Sequence, residues 1–186
     1  MHLTQTAHAL AAEVIRPGGK VVDATAGNGH DTLFLAQAVG PSGKVLALDI
    51  QPLAIETTKA RLHEAHVDAR ADLRVADHAE LGVLAGAWSG KVDCVMLNLG
   101  YLPGADRGLV TRPLTTGKAL HAALGLLRPG GRIVCAVYTG HPGGEDESDL
   151  VDAFGFSCEE AGHDVRRLGR EPRSGKPWLL VITRAP

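Results

Sequence analysis

The run Asp23-Ala24-Thr25-Ala26-Gly27-Asn28-Gly29-His30-Asp31-Thr32 sets a glycine turn between an apolar segment and a helix-like one. A strand, a glycine turn and a helix N-terminus in that order make a seat for a nucleotide-like ligand. Glycine lets the ligand approach the backbone, and the first helical turn offers unpaired N–H groups. Asp49 ends the next apolar run, 20 residues after Gly29, where an acid takes a pair of ribose hydroxyls. Thr32 stands where a dinucleotide fingerprint needs its third glycine, and no P-loop lysine follows, so a phosphate chain is not indicated. Asp23, four residues before Gly27, suits a cationic amino group. S-adenosylmethionine joins an amine, a ribose and an adenine without phosphate and meets these conditions. The candidate cofactor contacts are Asp23, Ala24, Gly27, Asn28, Gly29, Asp31, Thr32, Asp49, Ile50 and Gln51, then Asp77-His78 and Asn98. The plainer alternative is a tight turn that needs glycine only for its φ angles. Asp77 likewise either reads the adenine amino group or caps a helix.

Two further loops carry chemistry. Asn98-Leu99-Gly100-Tyr101-Leu102-Pro103-Gly104 follows a strand-like run, at the sheet edge where open α/β folds place ligands. Asn98 and Tyr101 are candidate catalytic residues at this edge. A glycine-containing turn with a satisfied Asn is the alternative. Tyr138-Thr139-Gly140-His141-Pro142-Gly143-Gly144 follows the next strand, and Glu145 and Glu147 open the helix after it. His141 is expected to face the same cleft as Asn98, as a proton acceptor, a loop cap or a base-stacking ring. Arg166, Arg167, Arg170, Arg173 and Lys176 form a basic cluster, with Arg107, Arg112 and Lys118 extending it around the cleft. Arg112, Arg167, Arg170 and Arg173 are the expected phosphate contacts, against the alternative of a solvated hairpin tip.

These residues need a scaffold, and the apolar spacing supplies one. Helices are expected at His2–Ile15, Asp31–Val39, Pro52–His66, Thr115–Leu127 and Glu145–Phe154. Strands are expected at Lys20–Thr25, Val45–Asp49, Leu73–Ala76, Val92–Leu97, Arg132–Tyr138, Cys158–Arg167 and Trp178–Thr183. The alternation means an α/β sheet that is mainly parallel. Residues 168–177 connect the closing pair without a helix and fit a hairpin, which places an antiparallel last strand at the sheet edge.

A chain of 186 residues with 45% apolar and 22% charged content fits one domain, 1–186, with a sizeable core. A net charge of −2 gives no global field for nucleic acid, so any basic site is local. Cys94, Cys135 and Cys158 lie far apart in apolar surroundings and read as buried thiols, neither a disulfide nor a metal set. With no secretory pattern and no membrane-length apolar run, the expected location is the cytoplasm.

The glycine turn resembles motif I of the class I S-adenosylmethionine-dependent methyltransferases, with Thr25 where many members have another glycine. The sequence from Asn98 to Tyr101 is similar to the Asn/Asp-Pro-Pro-Tyr of amino-methylating enzymes, with Leu99 and Gly100 in place of the prolines. Together with the His141 loop, these stretches resemble a family of small bacterial enzymes long labelled rRNA methylases. Its members include tRNA 5-aminomethyl-2-thiouridine methyltransferases, which place the last methyl on the wobble-uridine side chain. The resemblance covers nearly the whole chain. Position 26 and the short 82–90 segment depart slightly from it. It implies a Rossmann-like fold, a seven-stranded sheet with helices on both faces and an antiparallel last strand. It further implies the cofactor S-adenosylmethionine, a tRNA substrate met at its anticodon region, and a homodimer, without metal or membrane. Methylation of a small molecule or of rRNA, or cofactor binding without catalysis, are the alternatives. A dehydrogenase lacks the third glycine.

Overall fold

The computed structural model describes residues 3–100 and 110–186. One seven-stranded sheet runs through it in the order β3-β2-β1-β4-β5-β7-β6. The strands are β1 (Lys20–Asp23), β2 (Lys44–Asp49), β3 (Ala71–Val75), β4 (Val92–Leu99), β5 (Leu127–Val137), β6 (Asp164–Leu168) and β7 (Trp178–Thr183). The helices are α1 (Leu3–Ala12), α2 (His30–Val39), α3 (Pro52–Glu64), α4 (Leu81–Leu84), α5 (Pro113–Leu126) and α6 (Gly144–Glu160). β1 to β5 pair in parallel, whereas β7 is antiparallel to both β5 and β6.

The strand sequences explain this arrangement. β4 is buried almost along its length, as a strand covered on both faces must be. Ala7, Leu10 and Ala11 of α1, Leu35 and Val39 of α2, and Leu62 of α3 pack with strand residues Val21, Met96 and Val181. Leu120 and Ala123 of α5 and Val151 and Phe154 of α6 pack with Val22, Val95 and Ile182 of the same strands. Neighbouring strand positions therefore serve opposite faces, which is the period of two that a pleated strand imposes.

Three boundaries depart from expectation. The last strand does not lie at the edge: β7 is inserted between β5 and β6, and β6 is the outer strand. The reason is burial. Trp178 to Val181 are all buried, whereas Asp164, Arg166 and Arg167 keep β6 half exposed, as an edge strand should be. Helix α6 continues past Phe154 to Glu160 and includes Cys158, which was expected to open a strand. A Cβ on Gly155 would stand 2.9 Å from Arg167 and 3.0 Å from Leu180, so this glycine lets the helix sit close on the sheet. Strand β5 begins at Leu127 and carries Pro129-Gly130-Gly131 as an irregularity, with Val92 opposite Leu127 but Cys94 opposite Arg132. A Cβ on Gly131 would lie 2.8 Å from the Val92 carbonyl, which only glycine tolerates.

The three cysteines are buried, and burial pushes the Cys94 thiol up to about 12, so these thiols are unreactive packing groups. Among the described residues no helix is long and apolar enough to cross a membrane, and no cluster of His, Cys, Asp and Glu is placed to hold a metal.

Candidate active site

A cleft of about 1010 Å³ opens at the carboxyl ends of the parallel strands. Single small-molecule sites usually measure about 300–1,000 Å³, so this one has room for a cofactor and part of a second substrate.

One wall is the glycine turn. Backbone bonds from Ala24 N to Met96 O and from Ala26 N to Leu48 O continue the sheet into it. Gly27 then turns with φ 53° and donates its N–H to Asp49 Oδ2 at 2.9 Å, while Asp49 Oδ1 accepts from Gln51 N at 2.9 Å. The Asp49 carboxylate thus ties the turn to the start of α3, and each oxygen keeps a lone pair for a ligand. Ala24, Gly27, Asn28, Asp31, Asp49, Ile50 and Gln51 all line the cleft.

Three residues expected at the cofactor lie beneath the wall instead. Asp23 is fully buried, accepting from Thr25 N at 3.2 Å and from Thr32 Oγ1 at 2.5 Å. Thr32 is buried with it. Gly29 has φ 77°, and a Cβ there would meet Thr58 Cα at 2.8 Å, so its role is close packing against α3.

Burial, with the charge of Asp31 beside it, pushes the Asp23 carboxyl up to about 7. A folded pKa raised above the unfolded value means that ionisation opposes folding. The penalty is absent below about pH 4, grows up to the folded pKa and is full above it, reaching on the order of a few kcal/mol. Asp23→Asn is therefore expected to gain stability over the natural protein increasingly as pH rises from 4.5 to 8. Urea unfolding at several pH values checks this, and a pH-independent difference would contradict it.

Asp77 lines the cleft and also caps a 3₁₀ turn, His78–Glu80. Its Oδ1 accepts from Ala79 N at 2.8 Å, and Glu80 Oε1 accepts from Asp77 N at 3.3 Å. The capping role is thus present. His78 also lines the cleft, and burial lowers its pKa.

Beside the glycine turn stands Asn98, near the end of β4. Its backbone N–H bonds Thr25 Oγ1 at 2.7 Å, and its Nδ2 donates to Asp31 Oδ2 at 2.6 Å. Asp31 Oδ1 lies 2.6 Å from Nε2 of His8, on α1. His8, Asp31 and Asn98 all line the cleft, with Tyr138 beside them. Burial alone would raise the Asp31 carboxyl, but the hydrogen bonds from His8 and Asn98 outweigh it and hold the pKa below the usual range. Sequence reasoning missed His8, a polar residue in a helix of otherwise ordinary amphipathic spacing.

Tyr101 and Arg107 lie outside the described residues. The segment's flanks are anchored: Gly100 N donates to Thr111 Oγ1 at 2.8 Å, and Thr111 N donates to Gly100 O at 3.0 Å. Both oxygens of the fully buried Glu147 accept hydroxyls, from Thr111 at 2.6 Å and from Thr116 at 2.5 Å. Glu147, read from sequence only as a helix-opening acid, therefore anchors Thr111 at the edge of the cleft. His141 does not face the cleft. Its side chain is 3% exposed, with Nδ1 3.1 Å from Pro142 O and Nε2 3.9 Å from Glu147 Oε2. Its imidazole packs beside Glu147, while Thr139 and Gly140 of the same loop line the cleft.

The arginine cluster divides. Arg167 pairs with Asp152 at 2.6 Å and Glu159 at 2.8 Å, and Arg170 pairs with Asp149 at 2.9 Å and Asp152 at 3.0 Å. Both are mostly buried clamps between α6 and the 164–177 hairpin, contrary to their expected role at phosphate. Arg112 lines the cleft and Arg173 sits exposed on the hairpin loop, whose Gly175 and Pro177 reach the cleft.

A seven-stranded sheet with an antiparallel β7, and a glycine turn facing an acid at the end of β2, are the fold and site of a class I methyltransferase, whose donor is S-adenosylmethionine. The chain belongs to the family described as "Putative rRNA methylase", whose profile matches residues 45–184. It is similar to a structure described as a putative rRNA-methylase from Clostridium thermocellum, at 34% identity and TM-score 0.90, covering 98% of this chain and 97% of that one. A putative methyltransferase from Streptococcus mutans, solved in complex with SAH, is 28% identical with TM-score 0.84, covering 98% of each chain. A chloroplastic tRNA (mnm(5)s(2)U34)-methyltransferase of Arabidopsis thaliana is 41% identical over 160 residues. That match takes in 82% of this chain and 58% of the relative's length.

Proposed function

We propose that this chain transfers a methyl group from S-adenosylmethionine to the amine of a 5-aminomethyl-2-thiouridine at the wobble position of tRNA. The observation that carries this reading is the Asn98 amide. Its Nδ2 is held by Asp31 at 2.6 Å, an arrangement that leaves the carbonyl oxygen as the acceptor available to an N–H at the sheet edge. The Arabidopsis relative, whose name specifies that nucleotide, supports the substrate class.

The walls suit the cofactor. Gly27 and Asn28 present backbone, Asp49 keeps lone pairs for a hydroxyl pair, and Asp77 and His78 flank the space beyond. When bound, S-adenosylmethionine supplies a methyl group on a sulfonium sulfur that leaves as a neutral thioether. Asn98 orients the neutral amine so that its lone pair faces that methyl, and orientation accounts for much of the rate. The nitrogen becomes a cationic secondary amine, and the Asp31 carboxylate in the same wall favours that charge. The whole chain, 1–186, acts in this reading as one domain in the cytoplasm, as a homodimer that meets the anticodon region.

Phosphate contacts fall in this reading to Arg112 and Arg173. Replacing each with Ala is expected to reduce the log–log salt slope of tRNA binding by about 0.7–0.9. Arg167→Ala with Arg170→Ala is expected to leave the slope unchanged and to lower the melting temperature, because it strips partners from Asp149, Asp152 and Glu159. A lower slope in that double variant would return these arginines to the RNA.

The reading is tested by mass spectrometry of tRNA nucleosides from a strain lacking the gene. Unmethylated 5-aminomethyl-2-thiouridine is expected to accumulate. An unchanged nucleoside profile would contradict it.

A further inference from the structure

We infer that His8 is a positioning residue for the methyl transfer, holding the Asp31 carboxylate that in turn sets the Asn98 amide. The inference rests on the amine-methylation reading above. His8 Nε2 lies 2.6 Å from Asp31 Oδ1, and Asp31 Oδ2 lies 2.6 Å from Asn98 Nδ2. Each carboxylate oxygen therefore has one donor, and the carboxylate cannot rotate without losing both. The imidazole is itself fixed, stacked on Phe34 with centroids 4.0 Å apart and planes within 5°. With an ionised Asp31 as acceptor, Nε2 of His8 carries the proton. Other groups near Asp31 are the buried Asp23 behind it, His30 at the start of α2 and the Tyr138 hydroxyl.

Removing the His8 donor leaves Asp31 buried, close to Asp23 and with one partner. Asp31 then loses one of the hydrogen bonds that hold its pKa down, and wherever it takes up a proton it can donate to the Asn98 oxygen. The amide would turn over and present its NH₂ to the cleft. Two donors would face each other where the amine needs an acceptor. His8 thus acts through Asp31 on the orientation of Asn98, and contact between His8 and the substrate is not required.

The test uses His8→Phe, which keeps a ring over Phe34 but has no donor, and His8→Gln, whose amide N–H can still reach Asp31. Each is made alone and with Asn98→Ala. Calorimetry reads S-adenosylmethionine affinity, and turnover is read on tRNA carrying 5-aminomethyl-2-thiouridine. His8→Phe is expected to lower kcat about tenfold with KM for tRNA and cofactor affinity within about twofold. His8→Gln is expected to restore most of the loss. In the Asn98→Ala background, His8→Phe is expected to cost little further, since the group it positions is gone. An additive cycle, no restoration by Gln, or loss of cofactor binding in both variants would overturn the inference. Natural protein that binds S-adenosylmethionine yet leaves this tRNA unmethylated would overturn the substrate reading, and the inference with it.

Discussion

Asn98→Ala is expected to lower turnover about 100-fold or more while leaving S-adenosylmethionine affinity within about threefold. In the proposed reaction the amine's lone pair must point at the methyl carbon, and an acceptor held on its N–H sets that direction. The substitution spares the backbone bond from Asn98 N to Thr25 Oγ1 at 2.7 Å, so the link between β4 and the glycine turn survives. It removes the Nδ2 donor from Asp31, which keeps His8 at 2.6 Å. Asn98→Asp is not expected to rescue activity. It would set a second carboxylate 2.6 Å from Asp31, and one of the two would have to take up a proton. Calorimetry and single-turnover kinetics check both. A variant that loses the cofactor but turns over normally at saturation would move Asn98 to the cofactor site.

Asp49→Ala is expected to weaken S-adenosylmethionine binding by about 1.5–3 kcal/mol, the range for hydrogen bonds to a charged group. The loss has two parts. In the proposed cofactor site the ribose hydroxyls would lose their acceptors, and Gly27 N and Gln51 N lose the oxygens that they meet at 2.9 Å. The turn is then no longer held in the shape that receives the ligand. Calorimetry with circular dichroism separates these effects from unfolding. Unchanged affinity in a folded variant would contradict the assignment.

The sheet and the glycine turn were legible because local signals set them. Apolar runs of strand length, glycine at forced φ angles and an acid at a strand end all act within a few residues. The place of β7 was also within reach, since Trp178 to Val181 are uniformly apolar and Asp164 to Arg167 are not. An inner strand needs the first pattern and an edge tolerates the second. The buried side of the site was less legible. Asp23 and Asp31 are both acids near the glycines, and only packing sends one under the wall and the other into it. His141 was expected to face the cleft, yet its side chain is buried beside Glu147. His8 carried no signal because its partner is 23 residues away and joins it only when α1 docks beside α2. The pairing of Arg167 and Arg170 had a faint one: Asp149, Asp152 and Glu159 recur at helical spacing on α6. Counting the basic residues alone hid their partners.

The most direct measurement incubates the purified protein with methyl-labelled S-adenosylmethionine and tRNA carrying 5-aminomethyl-2-thiouridine, then digests the RNA and locates the label by mass spectrometry. The account predicts one labelled methyl on the side-chain nitrogen of the wobble uridine, abolished in tRNA that lacks the aminomethyl group. Label on a ribose, on a ring nitrogen or carbon, or only in ribosomal RNA would contradict it.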